Sequence, residues 1–77
     1  MSKVHVKLYA VLRKHIGGAP SVEVEIEPPC TIEQLLGQLG VPAEQTRIIF
    51  VDNRAARLAD TLDGGEEIGV FPAIGGG

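Results

Sequence analysis

Residues 21–40 read SVEVEIEPPCTIEQLLGQLG, and a change of period inside this stretch decides the fold. Val22, Val24 and Ile26 alternate with Glu23, Glu25 and Glu27. A period of two marks a strand with one buried face. From Ile32 the spacing changes. Ile32, Leu35, Leu36 and Leu39 fall at i, i+3, i+4 and i+7, which puts them on one face of a helix. The helix carries complete punctuation. Thr31 is the N-cap and Gln34 completes a capping box, while Cys30 and Leu35 occupy the two positions of a hydrophobic staple. Gly40 is the expected C′ residue, and Pro42 prevents continuation.

Upstream, Val4, Val6 and Leu8 alternate with Lys3, His5 and Lys7, a second strand of the same kind. Gly17-Gly18-Ala19-Pro20 supplies the turn between the two strands. Their outer faces carry opposite charges, so antiparallel pairing would set Lys3, His5 and Lys7 against the three glutamates. The intervening segment Ala10 to Ile16 reads as a loop over the strand end.

Downstream, a polar turn at Ala43-Glu44-Gln45-Thr46 precedes Arg47-Ile48-Ile49-Phe50-Val51. Four consecutive apolar residues in a strand place two on each face. One pair meets the core; the other is buried only if something covers the outer face and otherwise forms an exposed patch, for which Ile49 is the outward residue chosen. Asp52-Asn53 is a turn into a short edge strand, Arg54 to Ala56, and Asp63-Gly64-Gly65 a second turn into the closing strand, Glu67 to Phe71. The order is strand, strand, helix, strand, short strand, strand. That is an α+β domain with one main helix packed on one face of a mixed sheet of four to five strands. It is the element order of the β-grasp fold. The domain is expected over residues 1–72, with residues 73–77 as a flexible glycine tail.

Composition narrows the function. A chain of 77 residues makes one domain with a small core, which leaves little room for an enzyme cleft. A net charge of −3, scattered basic residues and three aromatics argue against nucleic-acid binding. No apolar run has the length of a membrane span and nothing marks secretion, so a cytoplasmic setting is expected. Cys30 stands alone, and His5 and His15 have no ligand-like spacing with it or each other, so no metal site and no bound cofactor are expected. Glu23, Glu25 and Glu27 read as a solvated face.

The last thirteen residues, Gly65-Glu66-Glu67-Ile68-Gly69-Val70-Phe71-Pro72-Ala73-Ile74-Gly75-Gly76-Gly77, carry the sharpest signal. Glycine has no Cβ, so a narrow catalytic cleft can admit such a tail. Extended, residues 73–77 span roughly 17 Å. Pro72 lacks an N–H and so ends the sheet ladder. This ending resembles that of the ubiquitin-like sulfur carriers, and within them the small subunit of molybdopterin synthase. Leu8-Tyr9-Ala10-Val11-Leu12-Arg13 resembles that family's first strand and Leu-Arg loop, and Thr31 to Leu36 its helix start. Gly64 departs from a frequent Asp and Ala73 from a frequent second Pro. A third glycine, Gly75, extends the terminal pair, as in thiamine-type carriers.

The resemblance implies a carrier substrate rather than an enzyme. Its chemistry would run on the carboxylate of Gly77, with Gly76 and Gly75 behind it. An adenylyltransferase of the ubiquitin-activating type would use ATP to form an acyl-adenylate. A sulfur-donor protein would convert it to a thiocarboxylate, and the large synthase subunit would supply the pterin site. Phe71, Pro72, Ile49 and Arg13 would contact these partners. Sulfur supply for thiamine or amino-acid biosynthesis remains an alternative. So does a protein modifier joined to lysines through Gly77, and so does a plain interaction module with an inert tail.

Overall fold

The computed structural model describes residues 2–72. Seven strands run β1 (Ser2–Leu8), β2 (Ser21–Ile26), β3 (Cys30–Thr31), β4 (Thr46–Val51), β5 (Arg54–Ala56), β6 (Thr61–Leu62) and β7 (Glu67–Pro72), and the helix α1 spans Ile32–Leu39. Five strands form one mixed sheet in the order β2-β1-β7-β4-β5. β1 and β7 are its parallel central pair, and β2, β4 and β5 add antiparallel neighbours. This is the expected β-grasp.

The core lies between one sheet face and α1. Val4, Val6 and Leu8 of β1, Val24 and Ile26 of β2, Ile49 of β4 and Ile68 and Val70 of β7 join Ile32, Leu35 and Leu36 of α1 in one cluster. Every strand residue in it obeys the period of two that alternation requires. Fully burying a side chain of this size contributes about 1.5–3 kcal/mol.

The helix is held as its punctuation dictates. Thr31 Oγ1 accepts from the Gln34 N–H at 3.1 Å, and Gln34 Oε1 accepts from the Thr31 N–H at 2.9 Å. Cys30 and Leu35, the staple positions, are both buried. Gly40 adopts φ 79°, and its N–H and that of Val41 both reach the Leu36 carbonyl. Two further contacts were not legible. The Ile32 and Glu33 N–H groups donate to the Asp60 and Leu58 carbonyls at 2.9 and 3.0 Å. β3 and β6 pair as a two-residue ribbon that carries this distant loop to the helix start. Helix N-termini leave such donors without intrahelical partners, and the chain satisfies them from 28 and 25 positions further along the sequence.

Two expectations need correction. Ala10–Ile16 is a 3₁₀ helix rather than a loop, closed by Gly17 at φ 67°. Its Leu12 is fully buried, which anchors a seven-residue segment too short to show a helical period. Lys3 and His5 do lie opposite Glu25 and Glu23, but Lys7 lies opposite Ser21. β2 ends at Ile26, before Glu27. Lys7 turns instead to Glu67 of β7, with Nζ 3.3 Å from Oε2.

Turn chemistry accounts for two positions. Asp52 and Asn53 both have positive φ, 50° and 69°, as a two-residue hairpin between β4 and β5 requires. Gly64 sits at φ 120°, and a Cβ there would run into the Ser2 side chain. The departure from Asp at this position therefore has a steric reason in this chain.

Candidate functional site

The sheet face opposite α1 is built by the other half of each alternation. On β1 it carries Lys3, His5 and Lys7, and Tyr9 follows at the strand end. On β7 it carries Glu67, Gly69 and Phe71, and on β4 Ile48 and Phe50. The face divides in two. Towards β2 it is charged, with Lys3, His5, Glu23 and Glu25. Towards β4 it is apolar, and all three aromatic residues of the chain meet there.

Their geometry is specific. Tyr9 and Phe71 stack with ring centroids 4.2 Å apart and planes inclined by 5°. Phe50 meets Phe71 edge to face, 6.1 Å between centroids and 86° between planes. Each pair contributes about 0.5–1.5 kcal/mol beyond area burial. Arg13 joins from the 3₁₀ helix. Its Nε donates to the Leu8 carbonyl at 3.0 Å, and its guanidinium carbon lies 5.9 Å from the Tyr9 ring centre. The structure thus brings Arg13 and Phe71 together, with Tyr9 between them. Ile48, paired with Phe71 across the strands, is 47% exposed, and Phe50 is 37% exposed.

Ile49 is the correction here. It is 6% exposed and faces the core, opposite Val70. The outward pair is Ile48 and Phe50. The count of two residues per face was right and the phase was not. The phase follows from the register of β4 on β7, and that register shifts between Thr46 and Ile48, where Arg47 is the extra residue. A bulge of this kind cannot be read from four consecutive apolar residues. Tyr9 was also missed, although a signal existed. It continues the outer parity Lys3, His5, Lys7 by one more step.

Pro72 is buried, lies opposite Thr46 and is the last residue of β7. Phe71 is half-buried immediately before it. Gly75, Gly76 and Gly77 lie outside the described residues. Any protein that grips the segment after Pro72 therefore approaches beside the Tyr9–Phe71–Phe50 cluster.

Other polar groups are already committed. A wide hollow of about 660 Å³ is lined by Asp52, Arg54, Asp60 and Glu66. Its carboxylates cap turns: Asp52 accepts from the Glu67 N–H, Asp60 from the Arg57 N–H, and Glu66 from the Asp63 and Gly64 N–H groups. His15 Nε2 lies 3.1 Å from Gln45 Oε1 and links the 3₁₀ helix to the start of β4. Cys30 is buried at the helix start. Among the described residues, no three His, Cys, Asp or Glu side chains are grouped to hold a metal ion, and no helix is long and apolar enough to cross a membrane.

The arrangement is a closed core, an aromatic outer patch and a last strand that ends beside the patch. A model of the ThiS family matches residues 6–77, almost the whole chain. The chain belongs to the ThiS family. Its members are ubiquitin-like sulfur carriers, which are not themselves catalysts. Solved structures of this ThiS-type fold agree with the architecture. Small archaeal modifier protein 1 of Haloferax volcanii is 20% identical, with a TM-score of 0.78 over 96% of this chain and 100% of that one. A putative molybdopterin converting factor subunit 1 from Pyrococcus furiosus is 24% identical, with a TM-score of 0.75 over 96% and 100%. A protein–protein complex of subunits 1 and 2 of the molybdopterin-converting factor from Helicobacter pylori contains a chain 15% identical, with a TM-score of 0.62 over 97% and 99%. No curated protein matches the ThiS-family chain in sequence.

Proposed function

We propose that this protein is a sulfur carrier for the biosynthesis of molybdopterin or its tungsten counterpart, and that Gly77 is its reactive terminus. One observation carries the reading: the family match runs through residue 77, and the strand leading to it ends beside an aromatic patch. A carboxylate is anionic and has no good leaving group. A separate adenylyltransferase joins it to AMP from ATP and releases pyrophosphate. Hydrosulfide, or its equivalent on a donor protein, then attacks the acyl carbon. The C–S bond forms, the C–O bond to AMP breaks, and a thiocarboxylate and a proton result. The chain contributes the nucleophile and the recognition surface, and the partner subunit contributes the acid–base and electrostatic catalysis. The molybdopterin assignment is supported by the Phe71-Pro72 ending and by the fold shared with the subunit 1 proteins of Pyrococcus furiosus and Helicobacter pylori.

The test is mass spectrometry. Incubated with the adenylyltransferase of its own genome, ATP and sulfide, the chain gains the mass of one oxygen-to-sulfur exchange, located at Gly77. Deleting Gly77 abolishes it. Activation of the truncated chain would overturn the terminal mechanism.

A second reading is favoured by the fold shared with small archaeal modifier protein 1. In it the adenylated Gly77 is transferred to lysines of other proteins. Branched Gly-Gly on cellular lysines, in place of a free thiocarboxylated chain, would decide for it. Sulfur delivery to thiamine or amino-acid synthesis uses the same activation and differs only in the acceptor.

A further inference from the structure

The central sheet has two edges, and they are built differently. β5 is an edge of three residues, Arg54–Ala56. β2 is an edge of six, Ser21–Ile26, paired to β1 in an unbroken register. The Leu8 N–H donates to the Pro20 carbonyl, so the even-numbered residues of β2 lie in the hydrogen-bonded pairs with β1. The N–H and C=O groups of Ser21, Glu23 and Glu25 then point the other way, where no strand of the described chain pairs with them. Such a row of backbone groups is a template for one more strand. Pro20 and Pro28, which have no N–H to offer, bound it.

The side chains beside the row choose the occupant. Glu23 and Glu25 are exposed on the outer face of the sheet, and Glu27 follows them, also exposed. Among the described residues neither Glu23 nor Glu25 has an ion-pair partner; the pair present, Lys7 with Glu67, lies between β1 and β7. A second copy of this edge is a poor fit. Antiparallel pairing of two β2 strands centred on Glu23 sets Glu23 against Glu23, and centred on Val24 it sets Glu23 against Glu25, like charges directly opposite. On the inner side the edge borders a hollow of about 500 Å³ between β2 and α1, where Glu27, Gln34 and Gln38 present polar groups beside Ile26 and Pro29.

We propose that the free edge of β2 takes an extended segment of a partner protein, in which Lys or Arg alternates with small polar residues such as Thr, as a sixth strand of the sheet. Its basic side chains stand beside Glu23 and Glu25 and continue the alternation of charge from β1 to β2. Its other side chains lie over the hollow, where the amides of Gln34 and Gln38 meet hydroxyl groups. The edge is separated from β7 by β1, and this inference does not depend on the carrier reading.

The probe is the peptide Thr-Lys-Thr-Lys-Thr-Lys-Thr, capped at both ends and titrated at low salt into the isotope-labelled full-length chain, with amide NMR as the readout. The amide resonances of Ser21, Glu23 and Glu25 are expected to move. Hydrogen exchange is expected to slow at the Glu23 and Glu25 N–H groups, a parity that only strand addition produces. Added salt weakens the binding. The double variant Glu23→Lys/Glu25→Lys raises Kd by at least about tenfold, since two attractive cross-strand pairs become repulsive. Glu23→Gln/Glu25→Gln, which keeps the shape and removes the charge, raises it less, and thermal unfolding shows which variants are folded. No binding of the alternating peptide overturns the proposal. Equal binding of Thr-Thr-Lys-Lys-Lys-Thr-Thr, which has the charge without the alternation, overturns it as well, and so does an unchanged Kd for the folded glutamine variant. A parent chain that associates with itself through Ser21–Ile26 in the absence of peptide makes a second copy the occupant and overturns the basic segment.

Discussion

The two faces of the central sheet are made by the same strands and solve opposite problems. On the inner face Val4, Val6, Leu8, Ile49, Ile68 and Val70 are closed off by α1, within a few percent of complete burial. On the outer face Ile48, Phe50 and Phe71 form an apolar cluster with Tyr9 that no element of the described chain covers. The inner face spends its apolar area on stability. The outer face leaves part of its own exposed, and in the proposed reading a partner covers it. Alternation makes the two separable, because neighbouring residues of one strand serve different ends.

The largest effect that would test this division is on the inner face. Leu35→Ala should cost about 2–5 kcal/mol in chemical denaturation, since Leu35 is fully buried and its removal leaves a cavity. A loss below that of any outer-face substitution would break the comparison.

Phe71→Ala should separate the faces from the other side. It should weaken binding to a synthase large subunit by about 1 kcal/mol or more in calorimetry. Its cost to folding should stay below that of Leu35→Ala and near the contribution of the stacked Tyr9 pair, about 0.5–1.5 kcal/mol. Equal affinity of variant and parent would show that the outer cluster has no part in recognition.

The helix that closes the inner face should respond to its cap. Thr31→Ala should cost about 1 kcal/mol by removing the acceptor of the Gln34 N–H, read by thermal unfolding. The smallest effects belong to the exposed surfaces. Gly37→Ala should stabilise the helix by about 0.5–1 kcal/mol. Lys7→Ala should change stability by less than about 1 kcal/mol, because the Glu67 pair is exposed.

Residues with local causes were legible. Thr31, Gln34 and Gly40 bound the helix because capping acts within four residues. Val22 to Ile26 and Val4 to Leu8 formed strands because a period of two needs only neighbours. Asp52-Asn53 made its turn because both side chains tolerate positive φ. The outer site was legible only in part. Phe71 was placed outward from the parity of Ile68 and Val70, and Arg13 was chosen by resemblance. Ile49 was assigned to the wrong face, since nothing local fixes the phase of an all-apolar strand.

The sequence by itself determined the order of elements, the ends of α1, the two faces of β1, β2 and β7, and membership of a carrier family. These rest on interactions between residues close along the chain, or on pattern alone. Tertiary structure decided which strands are neighbours and in what register. From that came the bulge at Arg47 that turns Ile48 and Phe50 outward, the loop carbonyls that satisfy the start of α1, and the meeting of Tyr9, Phe50 and Phe71. Those contacts join residues up to sixty-two positions apart, Tyr9 to Phe71, and are fixed only when the closing strand docks between the first and the fourth.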